Sequence, residues 1–194
     1  MTNGMEALIE EAIMKNPGEL GYKQALAIRN VRIAPVAGRI DVLLLPTKGK
    51  KRLVLVETKQ STASDAASKV TGQLLMYYAG ALNLSTDGLD IIRDFVKEYP
   101  DEAWSRGWIS AQRMCGGLSK DASWKLMQNP KKRRLSPADI DLFIAVDGKP
   151  KQSLIDIVDM LNTHHQLGIK LVTVESGVVT SVRLPFKSKV LRIS

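Results

Sequence analysis

From Met5 to Lys15 the apolar residues Met5, Leu8, Ile9, Ala12 and Ile13 recur at helical spacing, so this stretch predicts a helix with one stripe for a core. Asn16-Pro17-Gly18 follows and ends it, because proline cannot continue a helix and biases its predecessor away from helical geometry. Arg39 to Leu45 and Arg52 to Thr58 are short β-branched and Leu-rich runs joined by the polar link Pro46 to Lys51. They predict adjacent antiparallel strands. Both are apolar on two faces, as central strands covered by helices on each side would be. Ser64 to Leu82 predicts a long helix capped by Ser64 or Asp65, and Ser85 to Glu98 a second one. Further on, Ile140 to Val146 predicts a strand and Gln152 to Leu167 an amphipathic helix. Ile169 to Glu175 and Val178 to Leu184 predict a hairpin turning at Ser176-Gly177.

The periodicity weakens between residues 99 and 138, which hold Trp104, Trp108, Trp124, Gly116-Gly117 and Asn129-Pro130. This segment is expected to be an insertion in an α/β layered domain. With 194 residues, 44% hydrophobic and 25% charged, the chain has the size and composition of one folded domain. Its apolar runs are far shorter than the roughly 20 residues of a membrane-spanning helix, so no membrane span is expected. The acidic N-terminus (Glu6, Glu10, Glu11) lacks a secretory pattern, and Cys115 is the single cysteine, so a cytoplasmic location is expected. The net charge of +8 favours polyanionic partners, and its placement sharpens that. Between 106 and 134, eight Lys and Arg residues face only Asp121.

Candidate chemistry centres on Asp41 and Glu57-Thr58-Lys59. Asp41 lies early in one predicted strand and Glu57 and Lys59 at the end of its neighbour, so a hairpin brings all three to one end of the sheet. Glu57 and Lys59 share a face and Thr58 points away. Two carboxylates beside a lysine suit phosphodiester hydrolysis. Asp41 and Glu57 would be oxygen ligands for Mg²⁺, and Lys59 would orient water or neutralise developing charge. On the next helix Lys69, Gln73 and Tyr77, spaced four apart, form a polar row that can face a phosphate backbone. On the first helix Glu6 borders the apolar stripe and is the acid best placed to look toward the sheet edge, with Glu10 next.

These residues resemble the motifs of the PD-(D/E)XK nuclease superfamily, whose members share the restriction-endonuclease-like fold. Asp41 matches the metal-binding acid, Glu57-Thr58-Lys59 the acid-x-lysine motif, and Gln73 with Tyr77 the glutamine-x-x-x-tyrosine motif. More narrowly, Glu6 with Asn16-Pro17, Gly38-Arg39-Ile40-Asp41, Val54 to Lys59, and Gly72 to Leu75 with Tyr77 resemble the nuclease domain of archaeal and actinobacterial mismatch-cleaving endonucleases. The resemblance covers residues 5–80 well and 140–184 more loosely, and leaves out the insertion; Ile40 stands where the motif's proline would be. It implies a mixed central β-sheet flanked by helices, dependence on Mg²⁺ or Mn²⁺, and cleavage of DNA. Asp41 and Glu57 would be the metal ligands, Lys59 the catalytic lysine and Glu6 an auxiliary acid.

The run Lys131-Lys132-Arg133-Arg134 is either a phosphate-binding patch or a solvated loop, and the nucleic-acid reading elsewhere favours the patch. Lys69 is a further candidate contact to nucleic acid, although a solvated charge fits it better. The three tryptophans fit a small subcore better than base stacking. His164 and His165, adjacent on a helix, point apart and suit a surface better than a shared metal. The sequence therefore predicts a divalent-metal-dependent endodeoxyribonuclease. A two-fold dimer would be required for one site per chain to cut both strands. The alternatives are a catalytically silent DNA-binding module of the same fold, or a nuclease subunit active only within a larger complex.

Overall fold

The structure, a computed structural model, describes residues 4–23, 25–31, 33, 38–46, 49–61, 66–83 and 135–185. Its elements are helix α1 (Gly4–Lys15), a 3-10 turn (Pro17–Leu20), strands β1 (Ala25–Val31), β2 (Ile40–Pro46) and β3 (Leu53–Lys59), and helix α2 (Ala66–Asn83). After a second 3-10 turn (Pro137–Asp139) come β4 (Ile140–Asp147), helix α3 (Gln152–His165), β5 (Lys170–Glu175) and β6 (Val178–Arg183). The expected Ser85 to Glu98 helix, the Ser64 or Asp65 cap, the three tryptophans, Cys115 and the basic run 131–134 lie outside the described residues, as does the insertion up to residue 134. Among the described residues no helix is long and apolar enough to cross a membrane.

The six strands form one mixed sheet in sequential order, flanked by the three helices. β1–β2, β2–β3 and β5–β6 pair antiparallel, whereas β3–β4 and β4–β5 pair parallel. Strand β1 was not anticipated by the sequence pattern. Its sequence, ALAIRNV, pairs alanines of low strand propensity with a polar Arg29-Asn30 step, and only docking against β2 makes it a strand. Asn30 takes a left-handed φ of 56° there, which asparagine tolerates better than most residues. The β5–β6 hairpin turns as expected at Ser176 and Gly177, both at positive φ, as a two-residue turn matching the sheet's twist requires.

The two parallel crossovers, β3–α2–β4 and β4–α3–β5, step in the same direction across the sheet. Right-handed crossovers then place both helices on one face, and α2 and α3 do pack together there. Leu43, Leu45, Leu53, Leu55, Leu142, Ile144 and Val146 point to that face. Val42, Leu44, Val54, Val56, Phe143 and Ala145 point to the other, under α1. This strict alternation in β2, β3 and β4 explains why their sequences are apolar throughout. The core stripe of α1 is rotated from the expected one: Ile9, Ala12 and Ile13 are buried, whereas Met5 and Leu8 are exposed. Glu10 takes the buried place instead.

Strand direction gives the sheet two chemically different ends. At the amino ends of β3, β4 and β5, Asp141 accepts hydrogen bonds from the Tyr22 hydroxyl and the Lys170 ammonium, and pairs with Lys51 Nζ at 2.9 Å. Lys170 also lies over the Phe143 ring, 4.7 Å from its centre. Burial alone would raise the Asp141 pKa, but the bonds from Lys170, Tyr22 and Lys51 outweigh it and hold the carboxyl below the usual aspartate range. Its stabilising contribution is therefore complete above that range and disappears as pH falls through the lowered value. Asp141→Asn, which leaves two ammonium groups without their counter-charge, is expected to cost about 3 kcal/mol at neutral pH. Denaturant melts of the wild type and variant should converge in strong acid, and a gap independent of pH would refute this account.

Candidate active site

The other end of the sheet collects the carboxyl ends of β3 and β4 with the start of β2, the part of an open α/β sheet where ligands usually bind. Val42 pairs with Val56 across β2 and β3, and one further step of that antiparallel register sets Asp41 opposite Glu57. Both follow the parity of Leu43 and Leu55, so their side chains start from the same face of the sheet. Like charges placed opposite one another on neighbouring strands repel. The local structure partly compensates. The Thr58 backbone N–H and hydroxyl donate to Asp41 Oδ2 at 2.7 and 2.9 Å, and the Asp41 N–H is directed to the Glu57 carboxylate. Thr58 thus does not turn away from the chemistry as strand alternation suggested. At the sheet's end the Asp41 carboxylate reaches both its amide and its hydroxyl.

Glu57 is 2% exposed and its Oε2 has no hydrogen-bond partner. Burial, followed by repulsion from Asp41, pushes its pKa up to about 9 against the opposing pull of Lys59. Burial likewise raises Asp41, against the two Thr58 bonds. Helix α1 brings two more acids to this end, Glu6 and Glu10, one helical turn apart. Glu6 Oε1 pairs with Lys59 Nζ at 2.9 Å. Glu10 is 1% exposed, lies 3.9 Å from Arg29, and has an unpartnered Oε1. Burial and then Asp41 push its pKa up to about 7. Sequence spacing from Glu6 pointed to Glu10 as a secondary candidate, but its burial depends on how α1 seats on β1. Arg29 gave no signal, because β1 itself was unforeseen.

Four acids, Glu6, Glu10, Asp41 and Glu57, act on one another here, against the two cations Arg29 and Lys59. When all are ionised the imbalance equals the charge of one divalent cation, and without one it is met by protons. The donor set also suits Mg²⁺, which prefers carboxylate oxygens and keeps several waters. Among the described residues no three His, Cys, Asp or Glu side chains are grouped to cage a metal. Asp41 and Glu57 are the pair that would hold such an ion.

The helix row splits. Residues four apart advance about 40° around a helix at roughly 100° per residue, so Lys69 is exposed, Gln73 half-buried and Tyr77 2% exposed. Tyr77 does not face outward to a phosphate backbone. Its hydroxyl accepts the Arg39 backbone N–H, and burial, with the nearby Glu57 and Asp41 charges, raises its pKa to about 12. It braces the turn that delivers Asp41. Gly38 makes this approach possible: at φ 102° it carries no Cβ, and one would lie 2.6 Å from the Tyr77 hydroxyl. His164 and His165 are exposed at the end of α3. The position of residues 131–134 relative to this site falls outside the described residues.

Comparison with protein-family models, with curated proteins and with solved structures finds no match for this chain.

Two expectations follow. The fold retains a Glu57 proton that the unfolded chain has lost above the ordinary glutamate range, so stability in chelator should fall as pH rises from there to about 9. Glu57→Gln should flatten that slope in melts across the same window, whereas an equal slope in both proteins would exclude Glu57 as its source. Gly38→Ala should cost roughly 1–3 kcal/mol through strain at positive φ and the clash with Tyr77. Tyr77→Phe removes the clashing oxygen, so the double variant should lose less than the sum of the two single losses. Additive losses would show that the hydroxyl does not occupy this place.

Proposed function

We propose that the chain is a divalent-metal-dependent DNA endonuclease with the restriction-endonuclease-like fold, hydrolysing phosphodiester bonds at the Asp41–Glu57 end of the sheet. The observation that carries this reading is buried Glu57, with one unpartnered oxygen, set opposite half-buried Asp41, beside a lysine at the carboxyl end of β3. A binding module has no use for opposed acids facing a polyanion, since they would repel it. The mixed sheet flanked by helices and the resemblance of residues 5–80 to PD-(D/E)XK nucleases support the same reading.

In this mechanism Asp41 and Glu57 would hold Mg²⁺ or Mn²⁺, and Thr58 fixes the orientation of Asp41. The ion, when bound, supplies Lewis acidity and offsets charge at the phosphorus. Water attacks the phosphorus in line with the leaving oxygen. The Lys59 ammonium, tethered by Glu6, orients that water or stabilises charge on the non-bridging oxygens. Tyr77 acts at a distance by bracing Arg39. Lys69 and the basic residues 131–134 are proposed contacts to the DNA backbone, and a two-fold dimer would place two such sites for cutting both strands.

Cleavage of labelled duplex, single-stranded, mismatched and branched DNA should require Mg²⁺ or Mn²⁺ and stop in EDTA. Asp41→Ala or Glu57→Ala should lower the rate by at least about 100-fold, the scale of losing a central electrostatic interaction, while DNA binding in EDTA is retained. Lys59→Ala should also lose cutting. Normal cutting by either acid variant would overturn the site. Silence on every substrate, with metal-independent binding, would favour the catalytically silent module or a subunit that needs its complex.

A further inference from the structure

The amino end of the parallel strands, opposite the acids, is built differently. Five cations gather there: Lys23 after the first 3-10 turn, Lys50, Lys51 and Arg52 in the β2–β3 turn, and Lys170 at the start of β5. The acids of this end are Glu19, Asp139 and Asp141. Asp139 accepts from the Ser136 N–H at 2.8 Å. Asp141 is shared by two ammonium groups, which one carboxylate cannot neutralise. Lys51 bonds Asp141 Oδ1 and Lys170 bonds Oδ2, so the two ammoniums are held side by side on a single rigid group. Lys51 Nζ also donates to the Ile140 carbonyl at 2.9 Å, and the Arg52 N–H to the Asp139 carbonyl at 2.7 Å. The basic turn is therefore pinned to β4. An ammonium has three donors; the bonds named here use two on Lys51 and one on Lys170. Lys23 and Lys50 are exposed beside them.

We propose that this end is a second nucleic-acid surface, which seats the phosphate backbone of duplex DNA on the Lys51–Lys170 pair, with Lys23 and Lys50 on adjoining phosphates. Preorganised cations lose little freedom on binding, which favours them over unconstrained surface lysines. The two ends of β3 are six residue steps apart, about 20 Å at roughly 3.3 Å per residue. Duplex rising about 3.4 Å per base pair would carry this surface roughly six base pairs from a bond positioned at the acids. The surface does not depend on the acids being catalytic.

The test is a salt titration of binding to a fluorescent DNA duplex of three helical turns, in EDTA, for the full chain. Lys23→Gln with Lys50→Gln alters two exposed residues and should leave the fold intact. It should weaken binding at fixed salt and lower the slope of log affinity against log salt by about 0.9 for each phosphate that is no longer neutralised. Lys51→Gln, with its melting curve recorded, should lower the slope similarly. A slope unchanged in both lysine variants, or wild-type protein without salt-dependent binding, would overturn the proposal. A reduced slope in the lysine variants of a protein that cuts no DNA on its own would uphold this surface and remove support from the reading of the isolated chain as a nuclease.

Discussion

A buried glutamate and a half-buried aspartate, set opposite one another on neighbouring strands, constrain everything else at this end of the molecule. Asp41 and Glu57 are placed there by the β2–β3 register, and burial raises both above ordinary acids. Each surrounding feature answers that problem. Thr58 stabilises Asp41 through two hydrogen bonds, Lys59 opposes the charge of Glu57, and Glu6 orients Lys59. The remaining deficit is met by protons or by a cation. A site whose charge is incomplete when empty is prepared to bind what completes it.

The fold divides these duties between its faces. α2 closes one side of the sheet and sends Tyr77 to brace the turn before Asp41, while α1 closes the other and sends Glu6 and Glu10 to the same end. The opposite end works with the reverse charge balance, two ammoniums on one carboxylate. Separation along the strands keeps the two groups from neutralising one another. A polyanion would be repelled at one end and held at the other unless a cation joined the acids. Under the proposed nuclease reading, DNA would approach the acid end only with a cation there.

Much of this was legible in the sequence. Apolar runs with no alternation announced β2 and β3 as covered on both faces, and Ser176-Gly177 announced its turn. Asp41 and Glu57-Thr58-Lys59 could be assigned to one sheet end because a hairpin has few ways to be built. β1 was hidden, since alanine and an Arg-Asn step carry little strand signal until a partner strand is present. The tilt of α1 was hidden too: a stripe that includes Met5 and Leu8 is apolar enough to be core, yet the helix seats on Ile9, Ala12 and Ile13.

Residue type and spacing by themselves determined the order of the described elements apart from β1, the pairing of β2 with β3, and which acids and lysine share an end. Those properties depend on local periodicity and on the short reach of a turn. Tertiary structure decided which of these groups lost water and which found partners. Thr58 reaching Asp41, the unpartnered oxygens of Glu10 and Glu57, Tyr77 turned inward to Arg39, and Lys51 meeting Lys170 on Asp141 all join residues far apart in the chain. Their energetics come from burial and opposing charge, which exist only once the helices have closed over the sheet.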